Sequence, residues 1–217
     1  MILAVCGGKG GVGKTTTALN LAAELDAVLV DADLGMADVP AGRGPDLHDV
    51  LAGRADAVEA VRETGAIAVL PCGRTLAGAR ESDPMRLLDA LHAVADAYGD
   101  VVVDCPAGLR ADVGLPLLVA DASVLVTTPD RAALADALRA RSLAVELDAG
   151  LAAAAYNRAD SAGDEVANAL GAPVVAIPAA DAVTAAVEAG QPVAAVAGES
   201  AAAARFENLA QRVRETR

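Results

Sequence analysis

Short apolar runs alternate with amphipathic stretches from one end of the chain to the other. The apolar runs fall at residues 2–6, 27–30, 66–70, 100–103, 122–127, 151–156 and 173–177. They are rich in valine and continuous rather than alternating, as expected of strands buried on both faces. Between them, helical spacing covers roughly 14–25, 47–52, 83–97, 132–147, 164–170 and 181–189, and a last helix is expected over about 200–214. Ser82-Asp83-Pro84 and Thr128-Pro129-Asp130 mark two helix starts, each with a capping residue beside a proline suited to a first turn. This alternation predicts an α/β fold: a mostly parallel central sheet with helices on both faces. No linker, repeat or low-complexity tail interrupts it, so residues 1–217 are expected to form a single domain. Ligand sites in such sheets lie at the carboxyl ends of the strands, which directs attention to the residues just after each run.

Composition sharpens this picture. Hydrophobic residues make up 54% and aromatics only 1%, and about a quarter of the chain is alanine, which suits close packing of helices on a sheet. The mean hydropathy of +0.41 comes from alanine and valine scattered among charges, with no uncharged run long enough to span a bilayer. The 30 acidic residues against 17 basic ones give a net charge of -13. Such a surface repels nucleic acid and anionic lipid, so neither is an expected partner. Aspartate outnumbers glutamate 20 to 10 and arginine outnumbers lysine 15 to 2, a balance that reads as adaptation to concentrated salt, in the cytoplasm of a halophile. Cys6, Cys72 and Cys105 are far apart, form no C-x-x-C pair, and are expected to be buried thiols. The N-terminus enters a strand at once, leaving no room for a signal peptide.

Both lysines of this lysine-poor chain, Lys9 and Lys14, lie in one glycine-rich loop. Gly8 through Thr15 fits G-x-x-x-x-G-K-[ST], with a predicted strand before it and a helix after it. Glycines there let successive N–H groups converge on a phosphate, and the helix adds its positive end. Lys14 is placed for the β- and γ-phosphates, and the Thr15 hydroxyl for Mg²⁺. Asp31 and Asp33, two apart after the second run, point the same way. One can hold Mg²⁺ while the other orients the attacking water, although on the residues alone they could equally form a solvated acidic turn. Asp104 follows the fourth run, where a carboxylate can reach Mg²⁺ indirectly. His48 and His92 are expected to be surface or half-buried helix residues, and neither forms a couple with Ser or Cys that would support nucleophilic catalysis.

The run Lys9-Gly10-Gly11-Val12-Gly13-Lys14-Thr15-Thr16 resembles the deviant Walker A motif of the MinD/ParA family of ATPases, which have the P-loop NTPase fold. In that family the early lysine reaches across a dimer interface, so the resemblance implies that Lys9 couples ATP binding to dimerisation. Asp31-Ala32-Asp33-Leu34-Gly35-Met36 is similar to the family's first switch, which implies that Asp33 is hydrolytic and Asp31 is on the metal side. Asp104-Cys105-Pro106-Ala107-Gly108-Leu109 looks like its Walker B segment and leans toward the MinD branch, and the chain as a whole looks most similar to MinD-like proteins of haloarchaea. Tyr156-Asn157-Arg158 matches the family's asparagine–arginine pair, which implies that Asn157 contacts the adenine edge with Arg158 beside it. Otherwise Asn157 reads as a strand-end turn residue. Ile177-Pro178 resembles a base-side contact, although the family's aspartate two residues after the proline is Ala180 here.

The resemblance covers essentially the whole chain and includes Leu47-His48-Asp49-Val50-Leu51-Ala52-Gly53 and Leu76-Ala77-Gly78. It implies a nucleotide-dependent homodimer that binds ATP and Mg²⁺, hydrolyses ATP slowly and positions cellular machinery through a protein partner or activator. Two departures stand out. The segment between Gly35 and Leu47 is short, and the family's basic amphipathic extension is not found before Arg217. A cytoplasmic protein recruited to a membrane or pole through its partner is therefore expected, with no direct membrane anchor. A ParA-like partition ATPase would need a basic patch for DNA, and a cluster-scaffold ATPase would need paired cysteines. A nucleotide-binding regulator with little turnover remains a further alternative.

Overall fold

The computed structural model describes residues 1–34, 43–63, 65–73, 75–108 and 111–216. Gly35, Met36, Leu109 and Arg217 lie outside the described residues, as does most of the short segment after Gly35.

The strands β1 (Ile2–Cys6), β2 (Val28–Asp31), β3 (Val69–Leu70), β4 (Val101–Asp104), β5 (Ala122–Thr127), β6 (Gly150–Asn157) and β7 (Val174–Ile177) form one sheet. Their order is β3-β2-β4-β1-β5-β6-β7, and every neighbouring pair is parallel. Residues of one strand feed both faces: Leu3 and Val5 join one core, while Ile2, Ala4 and Cys6 join the other. Burial on both sides is why the strand runs read as continuous rather than alternating.

Helices α1 (Lys14–Leu25), α8 (Asp181–Ala189), α9 (Val193–Ala197) and α10 (Ala201–Arg214) pack on the first face. On the second lie α2 (Leu47–Leu51), α4 (Arg86–Tyr98), α5 (Ala111–Val119), α6 (Arg131–Glu146) and α7 (Asp164–Leu170). The short α3 (Leu76–Glu81) adjoins α2. The buried residues of α6 are all alanines, Ala133, Ala137, Ala140 and Ala144, and small side chains let the helix lie close to the sheet. Phe206, Leu209 and Val213 of α10 point into the core as their spacing predicts. None of the described helices is long and apolar enough to cross a membrane.

Three helices are not foreseen by periodicity. The first, α5, contains Gly114 and Pro116, which read as breakers, and α3 and α9 span six and five residues, too short for a period to show. The third strand shrinks to two residues. The cap of α6 is Asp130, whose side chain accepts from the Ala132 N–H at 2.8 Å, rather than Thr128 before the proline.

All three cysteines are buried, as expected. Burial pushes the Cys6 thiol up to about 12 and Cys105 well above its ordinary value, with Lys14 partly opposing both. Native protein at pH 8 should therefore leave these thiols unmodified by a disulfide reagent over minutes, and guanidinium should expose all three. Rapid modification of any one before unfolding would contradict their packing.

Candidate functional site

With β1 ending at Cys6 and α1 starting at Lys14, residues 7–13 form the connecting loop. Its first half is packed tightly. A Cβ on Gly7 would sit 2.5 Å from the Val126 carbonyl oxygen of β5, and one on Gly8 would sit 2.5 Å from the Asp136 Cβ of α6. The second half is tied to the end of β6. Asn157 Nδ2 donates to the Val12 carbonyl at 2.9 Å, and Arg158 Nη2 donates to that of Gly11 at 2.8 Å. Gly10 and Gly11 present their backbone to open space, which leaves room for a ligand at that point of the loop.

Gly13 closes the loop in the left-handed region at φ +98, and a Cβ there would lie 2.5 Å from Asn157 Nδ2. Gly13→Ala should therefore cost about 2–3 kcal/mol, combining left-handed strain with a lost hydrogen bond. Denaturant titration checks this, and a change below about 0.5 kcal/mol would show that the loop tolerates another path.

The start of α1 carries no side-chain cap and no acidic residue in its first turn, so its positive end stays uncovered. Lys14, 8% exposed, lies at this point. Asp31 and Asp104 are buried and sit side by side as register partners of β2 and β4, next to Val5 of β1. The Asp33 amide donates to Asp31 Oδ1 at 3.2 Å, which folds the chain back as it leaves the sheet.

A cavity of about 1010 Å³ opens over this end of the sheet. Its lining includes Gly10, Gly11, Val12, Gly13, Lys14, Thr15 and Thr16 from the loop and α1, Asp33 after β2, Asn157 at the end of β6, Arg158 just after it, and Pro178 after β7. The expected phosphate-side and base-side residues therefore share one space. Lys9, Gly8, Asp31 and Asp104 are not part of the lining. The Asn157 side chain is divided: Nδ2 braces the loop, while the buried Oδ1 has no hydrogen-bond partner. Lys9 pairs within its own chain, with Nζ 2.7 Å from Asp130 Oδ2 and both side chains about half exposed. Hydrogen bonding to Lys9, and to the Ala132 N–H, lowers the Asp130 pKa.

The space fits a nucleotide, with amides and an ammonium at one end and Ile177, Pro178, Val183 and Val187 at the other. The Thr15 hydroxyl, Asp31 and Asp104 are hard oxygen donors of the kind Mg²⁺ takes. Among the described residues no group of three or more His, Cys, Asp or Glu could hold a metal by itself.

His92 is exposed, but His48 is buried, at 4% exposure, contrary to expectation. Sequence reading gave neither His48 nor Cys72 a role, yet both meet the backbone just after β2. The available hint was the position of His48 between Leu47 and Val50-Leu51, on a helix too short for its face to be assigned.

Residues 3–193 match the profile of the CobQ/CobB/MinD/ParA nucleotide binding domain. An uncharacterised ATP-binding protein of Methanocaldococcus jannaschii is 36% identical over 73% of this chain, an alignment that spans 64% of that relative. The crystal structure of the Pyrococcus furiosus cell division ATPase MinD superposes with a TM-score of 0.91 at 28% identity, covering 100% of this chain and 99% of that one. The septum site-determining protein MinD of Pyrococcus horikoshii, complexed with Mg-ADP, gives 0.90 at 26% identity over 98% and 95%. By sequence and by architecture, the chain belongs to the CobQ/CobB/MinD/ParA nucleotide-binding family.

Proposed function

We propose that this protein is a MinD-like ATPase that binds ATP with Mg²⁺, dimerises on doing so, and resets by slow hydrolysis. The observation that carries this reading is the single cavity in which the uncovered start of α1, Lys14, Thr15, Asp33 and the Asn157–Pro178 wall converge. Phosphate oxygens would take the loop amides and the Lys14 ammonium. Thr15, Asp31 and Asp104 would hold Mg²⁺, which supplies charge neutralisation at the phosphates. Asp33 would orient the attacking water, and the free Oδ1 of Asn157 would accept from the adenine amine. Phosphoryl transfer asks for positioning and charge stabilisation rather than covalent chemistry, which is what these residues offer.

In a single copy Lys9 is held by Asp130, but both are exposed, and water screens such a pair. Lys9 can therefore exchange this carboxylate for the phosphates of a second copy. The dimer would act on a protein partner that positions cellular machinery. The acidic surface argues for assays in molar KCl, where its self-repulsion is screened.

Phosphate release from ATP, with Mg²⁺ and with EDTA, tests the reading. Wild type should turn over slowly with Mg²⁺, and Asp33→Ala should lose at least tenfold in rate while still binding ATP. Equal rates in the two proteins would remove Asp33 from its role.

A further inference from the structure

The seam behind Asp33 is held by two side chains for which the reaction outlined above has no use. The His48 Nε2 lies 3.2 Å from the carbonyl oxygen of Leu34 and 3.6 Å from Cys72 Sγ. The Cys72 thiol donates to the carbonyl of Asp33 at 3.0 Å. A carbonyl only accepts, so the contact with Leu34 calls for a proton on Nε2 and leaves Nδ1 as the ring's other nitrogen. That Nδ1 is buried without a partner, against Gly73 and Gly78, where a Cβ would come within 2.2 and 3.0 Å of it.

The backbone locks the same seam from behind. Leu47 and His48 donate their N–H groups to the carbonyls of Pro71 and Cys72, both at 2.9 Å, joining the first turn of α2 to the segment after β3. Two side chains of this joint then reach the consecutive carbonyls of Asp33 and Leu34, just where the chain leaves β2. An apolar side chain would fill the space without leaving a buried nitrogen unsatisfied. Packing alone therefore does not account for histidine here.

We infer that His48, acting with Cys72, is a positioning residue for hydrolysis: the pair fixes the Asp33–Leu34 backbone and so aims the Asp33 carboxylate into the cavity. This rests on the reading of Asp33 as the residue that orients water. Neither residue lines the cavity, so the pair should govern turnover and leave affinity largely alone.

Four variants test it. His48→Met keeps a flexible side chain without a donor, and His48→Gln restores an N–H at similar reach. Cys72→Ala removes the thiol, and Cys72→Ser replaces it with another donor. The first readout is amide hydrogen exchange at Asp33 and Leu34 in the nucleotide-free protein, and the second is single-turnover ATP hydrolysis set beside ATP affinity. His48→Met and Cys72→Ala should exchange faster and lose on the order of tenfold in turnover, with affinity changed less than about threefold. His48→Gln and Cys72→Ser should recover most of the loss.

Wild-type exchange and turnover in both loss variants would overturn the inference. So would a loss that the rescuing variants share in full, because that would be a packing effect. If His48→Met does not fold, the Cys72 pair decides the question. If wild type itself does not hydrolyse ATP, the Asp33 reading fails, and exchange alone still decides whether the tether exists.

Discussion

Lys14→Ala should weaken ATP binding at least 100-fold, or about 2.7 kcal/mol. Lys14 is 8% exposed and lines the cavity at the uncovered start of α1, so on the proposed reading its ammonium would meet phosphate where little water screens the attraction. The chain otherwise favours arginine 15 to 2, which makes Lys14→Arg an informative companion. A planar guanidinium does not fit a seat shaped for a compact point charge, so it too should lose at least tenfold in affinity. Calorimetric titration with ATP and Mg²⁺ checks both variants. Wild-type affinity in Lys14→Ala would place the phosphates elsewhere.

Phe206→Ala should cost about 3–5 kcal/mol of stability. Phe206 is the one phenylalanine of the chain, 1% exposed, and sits among the largest fully buried side chains. It anchors α10 in the core shared with α1 and β6, and it also lines the nucleotide cavity. Its removal therefore opens a void continuous with the site rather than a sealed one. For a chain of this size the melting midpoint should fall by about 10 °C or more. Phe206→Leu, which refills much of the volume, should recover most of that. A shift below about 2 °C for Phe206→Ala would mean that α10 contributes little to holding the sheet.

Much of the site could be read from the chain because its chemistry is local. The spacing of Gly8, Gly13, Lys14 and Thr15 describes a loop whose ends are fixed by a strand and a helix immediately beside it, and the structure places them so. The strand runs were equally legible, because a parallel sheet buries both faces and leaves an unbroken apolar signature. What escaped depends on tertiary contact. Asp130 meets Lys9 across 121 positions, and no pattern around either residue announces the other. His48 gains its burial from Cys72, Gly73 and Gly78, which come together only when α2 docks on the end of β3. Helix α5 contradicts its own local signals, since Pro116 is tolerated inside a helix that packs on α4 and α6. The amide of Asn157 could be assigned to the site from its position at the end of β6, but not the hydrogen bond by which Nδ2 braces the loop.

The central claim is that nucleotide state sets assembly state. Light scattering after size exclusion, on Asp33→Ala in molar KCl with Mg²⁺, tests it most directly, because slowed hydrolysis preserves the ATP form. The account predicts a dimer with ATP, a monomer with ADP, and a monomer under both conditions when Lys9 is also replaced by alanine. A mass indifferent to nucleotide would contradict it and leave a constitutive nucleotide-binding module.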